Sequence, residues 1–149
     1  MKQVYFLSQW KAEKLEPEPG QAIISVTCPG EPASLNPNWT HIHRVFCHDI
    51  DMVSPPFIPF DKLMAKALIG FVEAIKDQVE VIIVHCQAGI SRSAAISQFL
   101  SDFYGFSLSK VSVNGHSQAT NLMNSLVYHT LKKTYTQLNS PPGDGSDIF

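Results

Sequence analysis

The chain has 149 residues, 44% apolar and 16% charged, with a formal net charge of -2. That length supports one domain burying about two thirds of the surface its unfolded chain exposes, and the near-neutral charge provides no basic field for nucleic acid or acidic lipid. Its three cysteines, Cys28, Cys47 and Cys86, form no C-x-x-C pair and fit a reducing compartment better than a disulfide framework.

The opening MKQVYFLSQWKAEK has too short an apolar stretch for a signal peptide. No apolar run reaches the roughly 20 residues of a membrane span. A cytoplasmic protein without membrane association is therefore expected, and in that setting the sequon at Asn38 is a chance match. VYFL (4–7) and AIISVT (22–27) read as strands, separated by a polar segment that ends in the turn signal EPEPG. A proline-rich loop follows. HIHRVFCHDI (41–50) alternates as a third strand, and DMVSPPFIPF, with three prolines, is a loop projecting from its carboxyl end.

DKLMAKALIGFVEAIKD spaces Leu63, Met64, Ala67, Leu68, Phe71, Val72 and Ile75 as one core-facing helical stripe, with Asp61 as N-cap. EVIIVH (80–85) is an unbroken apolar run, the pattern of a central strand covered on both faces. SRSAAISQFLSDFYG is a helix ending near Gly105. Beyond it a short helix, a turn at Asn114-Gly115 and a longer helix from about residue 120 are expected. The domain is expected to span residues 1–138, with 139–149 a disordered tail. Strands alternating with helices imply an α/β fold, a mostly parallel central sheet flanked by helices. No internal repeat is visible.

Ligands of such sheets bind beyond the carboxyl ends of the strands. HCQAGISR lies at that place, between the buried strand and a helix start. A turn there aims several N–H groups at one point, and the helix adds the positive end of its dipole, which together make an anion cradle. Gly89 permits close approach, and Arg92 supplies a planar fork suited to two phosphoryl oxygens. Cysteines in such fields favour the nucleophilic thiolate. Ser93 is placed to hydrogen-bond the Cys86 sulfur, and His85 to orient the loop.

The run His85-Cys86 through Arg92-Ser93, HCQAGISRS, resembles the active-site signature of cysteine-dependent protein tyrosine phosphatases, in the form used by the small dual-specificity branch. The resemblance covers residues from about 22 to 132 and implies a tyrosine-phosphatase-like fold. It implies Cys86 as nucleophile, Arg92 as phosphate ligand and transition-state stabiliser, Ser93 as the group that helps the thiolate leave, and Gln87, Ala88, Gly89, Ile90 and Ser91 as the phosphate-binding loop. An upstream aspartate acts as general acid in this family. Asp49 and Asp51 both stand in FCHDIDMVSPP; Asp49, which ends the third strand two residues after Cys47 in the register where the family places its acid, is preferred and Asp51 held in reserve, and the segment departs from the larger tyrosine-specific enzymes in lacking their Trp-Pro-Asp triplet. Some members protect the nucleophile with a reversible disulfide. Cys28 holds a comparable place, although packing is the reading taken for both Cys28 and Cys47.

The activity so implied is cofactor-free hydrolysis of phosphotyrosine, with phosphoserine and phosphothreonine as further substrates, in a phosphoprotein or phosphopeptide. A phosphoinositide or RNA 5'-phosphatase is the rival within the superfamily, although QAGIS lacks the lysines of lipid-directed relatives. A phosphoprotein-binding module without turnover is the rival outside it. Sulfurtransferases also carry a cysteine loop, but with other spacing. No metal site is expected: His41 and His43 share a strand face with His48 nearby, without the convergent third ligand that zinc needs. Asn124 is read as a helix-surface residue rather than a polar position near the loop. Oligomeric state is not legible.

Overall fold

Among the described residues the strands form one sheet in the order β3-β2-β4-β1-β5, and every pairing is parallel. In chain order the computed structural model comprises β1 (Gln3–Ser8), α1 (Gln9–Ala12), β2 (Gln21–Thr27), β3 (Ile42–Phe46), α2 (Lys62–Ile75), β4 (Val81–Cys86), α3 (Arg92–Tyr104), β5 (Ser107–Leu108) and α4 (Ser125–Leu138). The structure describes residues 2–108 and 119–140. The expected Asn114-Gly115 turn and the tail beyond residue 140 lie outside them.

β4 takes the central place that its apolar run implies. Ile82 and Val84 join the larger core cluster, while Ile83 faces the smaller one on the opposite side of the sheet. The larger cluster lies under α2, α3 and α4; the smaller is closed by Ala12 of α1 and Leu15 just after it, with Leu35 and Trp39 from the connection between β2 and β3. A strand covered on both faces must be apolar at every position rather than at alternate ones.

α2 is capped as expected: Asp61 Oδ1 accepts from the Met64 amide at 2.9 Å, an arrangement worth about 1 kcal/mol. Its buried face differs from the expected stripe. Ala65, Leu68, Ile69, Val72 and Ile75 are buried, whereas Ala67 is exposed and Leu63 is 75% exposed. Positions 65, 68, 69 and 72 follow the i, i+3, i+4, i+7 pattern. With apolar residues on both flanks, periodicity alone does not choose between adjacent faces. At the end of α3, Gly105 adopts φ 72 as a left-handed C-cap, which costs glycine nothing.

Four boundaries depart from the sequence expectation. β3 ends at Phe46 rather than running to residue 50: the Cys47 amide still reaches Thr27 O, but the His48 amide turns to Ile58 O at 2.8 Å and the chain leaves the sheet. α1 was not expected, and one turn capped by Ser8 Oγ stands where a polar connector was read. Ser107 and Leu108, expected to be helical, pair with β1 instead, and Ser107 N donates to Lys2 O at 2.8 Å. α4 starts at Ser125 rather than about residue 120, because a turn closed by Met123 N and Thr120 O comes first.

Candidate active site

The loop from Gln87 to Ser91 leaves the carboxyl end of β4 and enters α3 at Arg92. Gly89 is its pivot, with φ +76 and a position so close to β1 that a Cβ would lie 2.4 Å from the Ser8 nitrogen and 2.5 Å from the Leu7 carbonyl carbon. Only glycine meets both demands. The turn brings the Gly89 amide to 3.2 Å from Cys86 Sγ, where it donates to the sulfur. Ser93, one residue into α3, places Oγ 3.0 Å from the same sulfur. From the other side α1 braces the loop, as the Gln9 amide donates to Gln87 O at 3.3 Å. Cys86 itself is 1% exposed, while Gln87, Ala88 and Ile90 are exposed.

Arg92 is buried, at 3% exposure, and forms no ion pair with a described residue. Its Nη1 donates to Cys47 O and lies 3.9 Å from Cys28 Sγ, whereas its Nε is buried without an acceptor among the described residues. A guanidinium desolvated in this way is costly until an anion meets it.

His85 holds the loop from below. Burial lowers its pKa to about 4, so the ring is neutral near pH 7. Its Nδ1 is 3.3 Å from Cys86 O and its Nε2 is 2.6 Å from Ser25 Oγ on the adjacent strand β2. A carbonyl only accepts and a neutral imidazole has one N–H. The arrangement is therefore Nδ1–H donating to Cys86 O, with Nε2 accepting from the Ser25 hydroxyl.

Asp49 stands three residues beyond the end of β3, on an exposed loop that returns to the Gln87–Ser91 loop. Its Oδ1 accepts two hydrogen bonds of 2.8 Å, one from Ser91 Oγ and one from Asn124 Nδ2. Asp51 is exposed and bonds to no described residue. The two aspartates thus have different surroundings despite their proximity in sequence.

Asn124 corrects the surface reading. It is 5% exposed, caps α4 by accepting from the Val127 amide at 3.0 Å, and gives Nδ2 also to Ile50 O at 3.0 Å. Its own amide donates to Ser91 O at 3.1 Å, so one side chain and its backbone join α4, the Asp49 loop and the Gln87–Ser91 loop. A signal existed in the sequence, since asparagine before an apolar-periodic run marks an N-cap.

All three cysteines are free thiols. Cys47 is fully buried, and that burial pushes its thiol up to about 11 against the opposing pull of Arg92, which keeps it protonated at neutral pH. Cys28 is partly exposed beside Arg92. The histidines go separate ways: His43 stacks on Phe71 with centroids 5.1 Å apart, and His48 Nδ1 accepts from the Ile58 amide at 2.9 Å. Among the described residues no group of three or more histidine, cysteine or carboxylate side chains could hold a metal ion, and no helix is long and apolar enough to cross a membrane.

No family model and no curated protein sequence matches the chain. Solved structures do. Human DUSP28 superposes with a TM-score of 0.60 at 17% identity, over 91% of this chain and 92% of that one. A single-residue variant of DUSP28 gives 0.58 at 17% identity over 91% and 90%. The human tyrosine phosphatase-like serine/threonine/tyrosine-interacting protein gives 0.50 at 16% identity over 81% and 80%. The parallel five-stranded sheet, the loop between its central strand and α3, and these superpositions together identify the fold as that of the small dual-specificity-type tyrosine phosphatases.

Proposed function

We propose that this chain is a cysteine-dependent phosphatase that hydrolyses phosphotyrosine, and with it phosphoserine or phosphothreonine, in protein or peptide substrates. The observation that carries the reading is the convergence on one loop of Cys86, Ser93 and the Gly89 amide with a buried arginine whose Nε has no acceptor. A phosphoryl group supplies the anion that Arg92 lacks, and the amides of Ala88, Ile90 and Ser91, which donate to no other described residue, face the same need.

In the first step the Cys86 thiolate attacks phosphorus, the P–O bond to the substrate breaks, and the departing oxygen takes a proton from Asp49. A positioned acid contributes ~10²- to 10⁴-fold to such a step. In the second step water attacks the phosphocysteine, Asp49 takes the water proton, and the S–P bond breaks. Ser93 Oγ–H then donates to the leaving sulfur, and the neutral His85 keeps Cys86 O occupied from behind the loop. Oδ1 of Asp49 is bonded by Ser91 and Asn124. That leaves Oδ2 for the proton transfers. Thiol, carboxyl and cradle suffice for this chemistry without a cofactor.

A binding role is the second reading, favoured by the name of one structural neighbour, a phosphatase-like interacting protein. Phosphate release from a phosphotyrosine peptide separates the two. The wild-type chain is expected to turn over, and Cys86→Ser to bind the peptide while losing release by far more than tenfold. Saturable binding with no release by the wild type supports the binding module, and activity of Cys86→Ser within tenfold of wild type removes Cys86 as nucleophile. Arg92→Lys is expected to fail as well, since an ammonium cannot reproduce the planar fork.

A further inference from the structure

A cavity of about 400 Å³ adjoins the phosphate loop. Ser91 and Asp49 belong both to its wall and to the site described above, and Asp51, Met52, Leu122 and Asn124 continue the wall outward. A substrate whose phosphoryl group lies on the loop therefore extends its neighbouring residues toward this space. Among the described residues no lysine, arginine or histidine lines it.

The two carboxylates in the wall differ in what they still can do. Asp49 is engaged by Ser91 and Asn124. Asp51 is exposed and bonds to no described residue, so its carboxylate can accept from an incoming group. Beside it, Met52 and Leu122 stand 68% and 64% exposed, an unusual amount of apolar surface next to an exposed carboxylate. An aliphatic stem that ends in a cation satisfies both features, covering the apolar walls with its methylenes and meeting the carboxylate with its head. An acidic or second phosphorylated residue meets the opposite situation, two carboxylates and no counter-charge among the described lining residues, and is disfavoured there.

We propose that this cavity is a specificity subsite for an arginine or lysine that flanks the phosphorylated residue of the substrate peptide, with Asp51 as its charge partner. The inference rests on the phosphatase reading and narrows its substrate class.

The test uses phosphotyrosine peptides that carry Arg, Ala or Glu at one position at a time on either side of the phosphotyrosine. Affinity is measured with Cys86→Ser, and kcat/KM with the chain carrying Cys86. At one flanking position Arg is expected to exceed Ala by about two- to fivefold and Glu by about tenfold, the scale of a partly exposed charge pair. In the Asp51→Asn background the Arg-to-Glu ratio at that position is expected to fall by more than half, and Asp51→Lys is expected to reverse it. Equal affinities at every position, or a preference that survives both Asp51 variants, overturns the subsite. Selective binding without phosphate release leaves the subsite standing and overturns the phosphatase reading, so the two failures are distinct.

Discussion

Asn124 Nδ2 donates a 2.8 Å hydrogen bond to Asp49 Oδ1 across 75 residues of sequence. The same side chain caps α4 through its Oδ1, so its two ends have separable functions. Asn124→Ser keeps an oxygen for the cap and loses the donor to Asp49; Asn124→Ala loses both. Both variants are expected to lower turnover most with leaving groups of high pKa, while only Asn124→Ala loses the roughly 1 kcal/mol of a helix cap. Chemical denaturation beside a leaving-group series checks this. Equal loss of stability in the two variants contradicts the separation.

For the aspartates the expected contrast lies in leaving-group dependence. Asp49→Asn is expected to cost ~10²- to 10⁴-fold with a leaving group of high pKa and little with an activated aryl phosphate, whose oxygen departs unprotonated. Asp51→Asn is expected to leave the slope of rate against leaving-group pKa as it was. Kinetics over a set of aryl phosphates reads both, and a steepened slope in Asp51→Asn alone makes Asp51 the acid.

At Gly89 the structure allows no side chain. Gly89→Ala adds strain at φ +76 and drives a methyl into backbone atoms of Leu7 and Ser8 that cannot rotate away. A loss of more than about 1 kcal/mol in stability is expected, together with a drop in affinity for vanadate, because the Gly89 amide moves off the sulfur. Denaturant midpoints and vanadate inhibition measure the two effects. Wild-type vanadate affinity in Gly89→Ala contradicts the cradle geometry.

His85 contributes an acid-sensitive component to stability. Its pKa is about 4 in the folded chain against an ordinary 6.5, so between those values the unfolded chain binds the extra proton. Stability from this group is complete above about pH 6.5 and declines as pH falls toward 4, by roughly 3 kcal/mol in all. Below that it declines no further. His85→Asn is expected to show a shallower fall in urea midpoint across this window, and an unchanged slope removes His85 as its source.

The parts of this protein legible from sequence are those that local chemistry decides. The unbroken run before Cys86 marks a strand covered on both faces. Gly105 marks the end of α3, and the HCQAGISR run marks the turn that joins β4 to α3. Each of these signals lies within about fifteen residues and needs no distant partner. The tertiary structure decided the rest. Ser107 and Leu108 form a strand only because β1 offers an edge, and no two-residue propensity announces that. The buried face of α2 shifted away from Leu63 and Ala67 because its flanks are also apolar and only the sheet beneath chooses. Asp49 and Asp51 share one local pattern. What distinguishes them is that Ser91 and Asn124, the residues just before α3 and α4, reach one and not the other. Hydrogen bonds between residues far apart in sequence depend on how helices pack over a sheet, and that packing is a property of the whole chain.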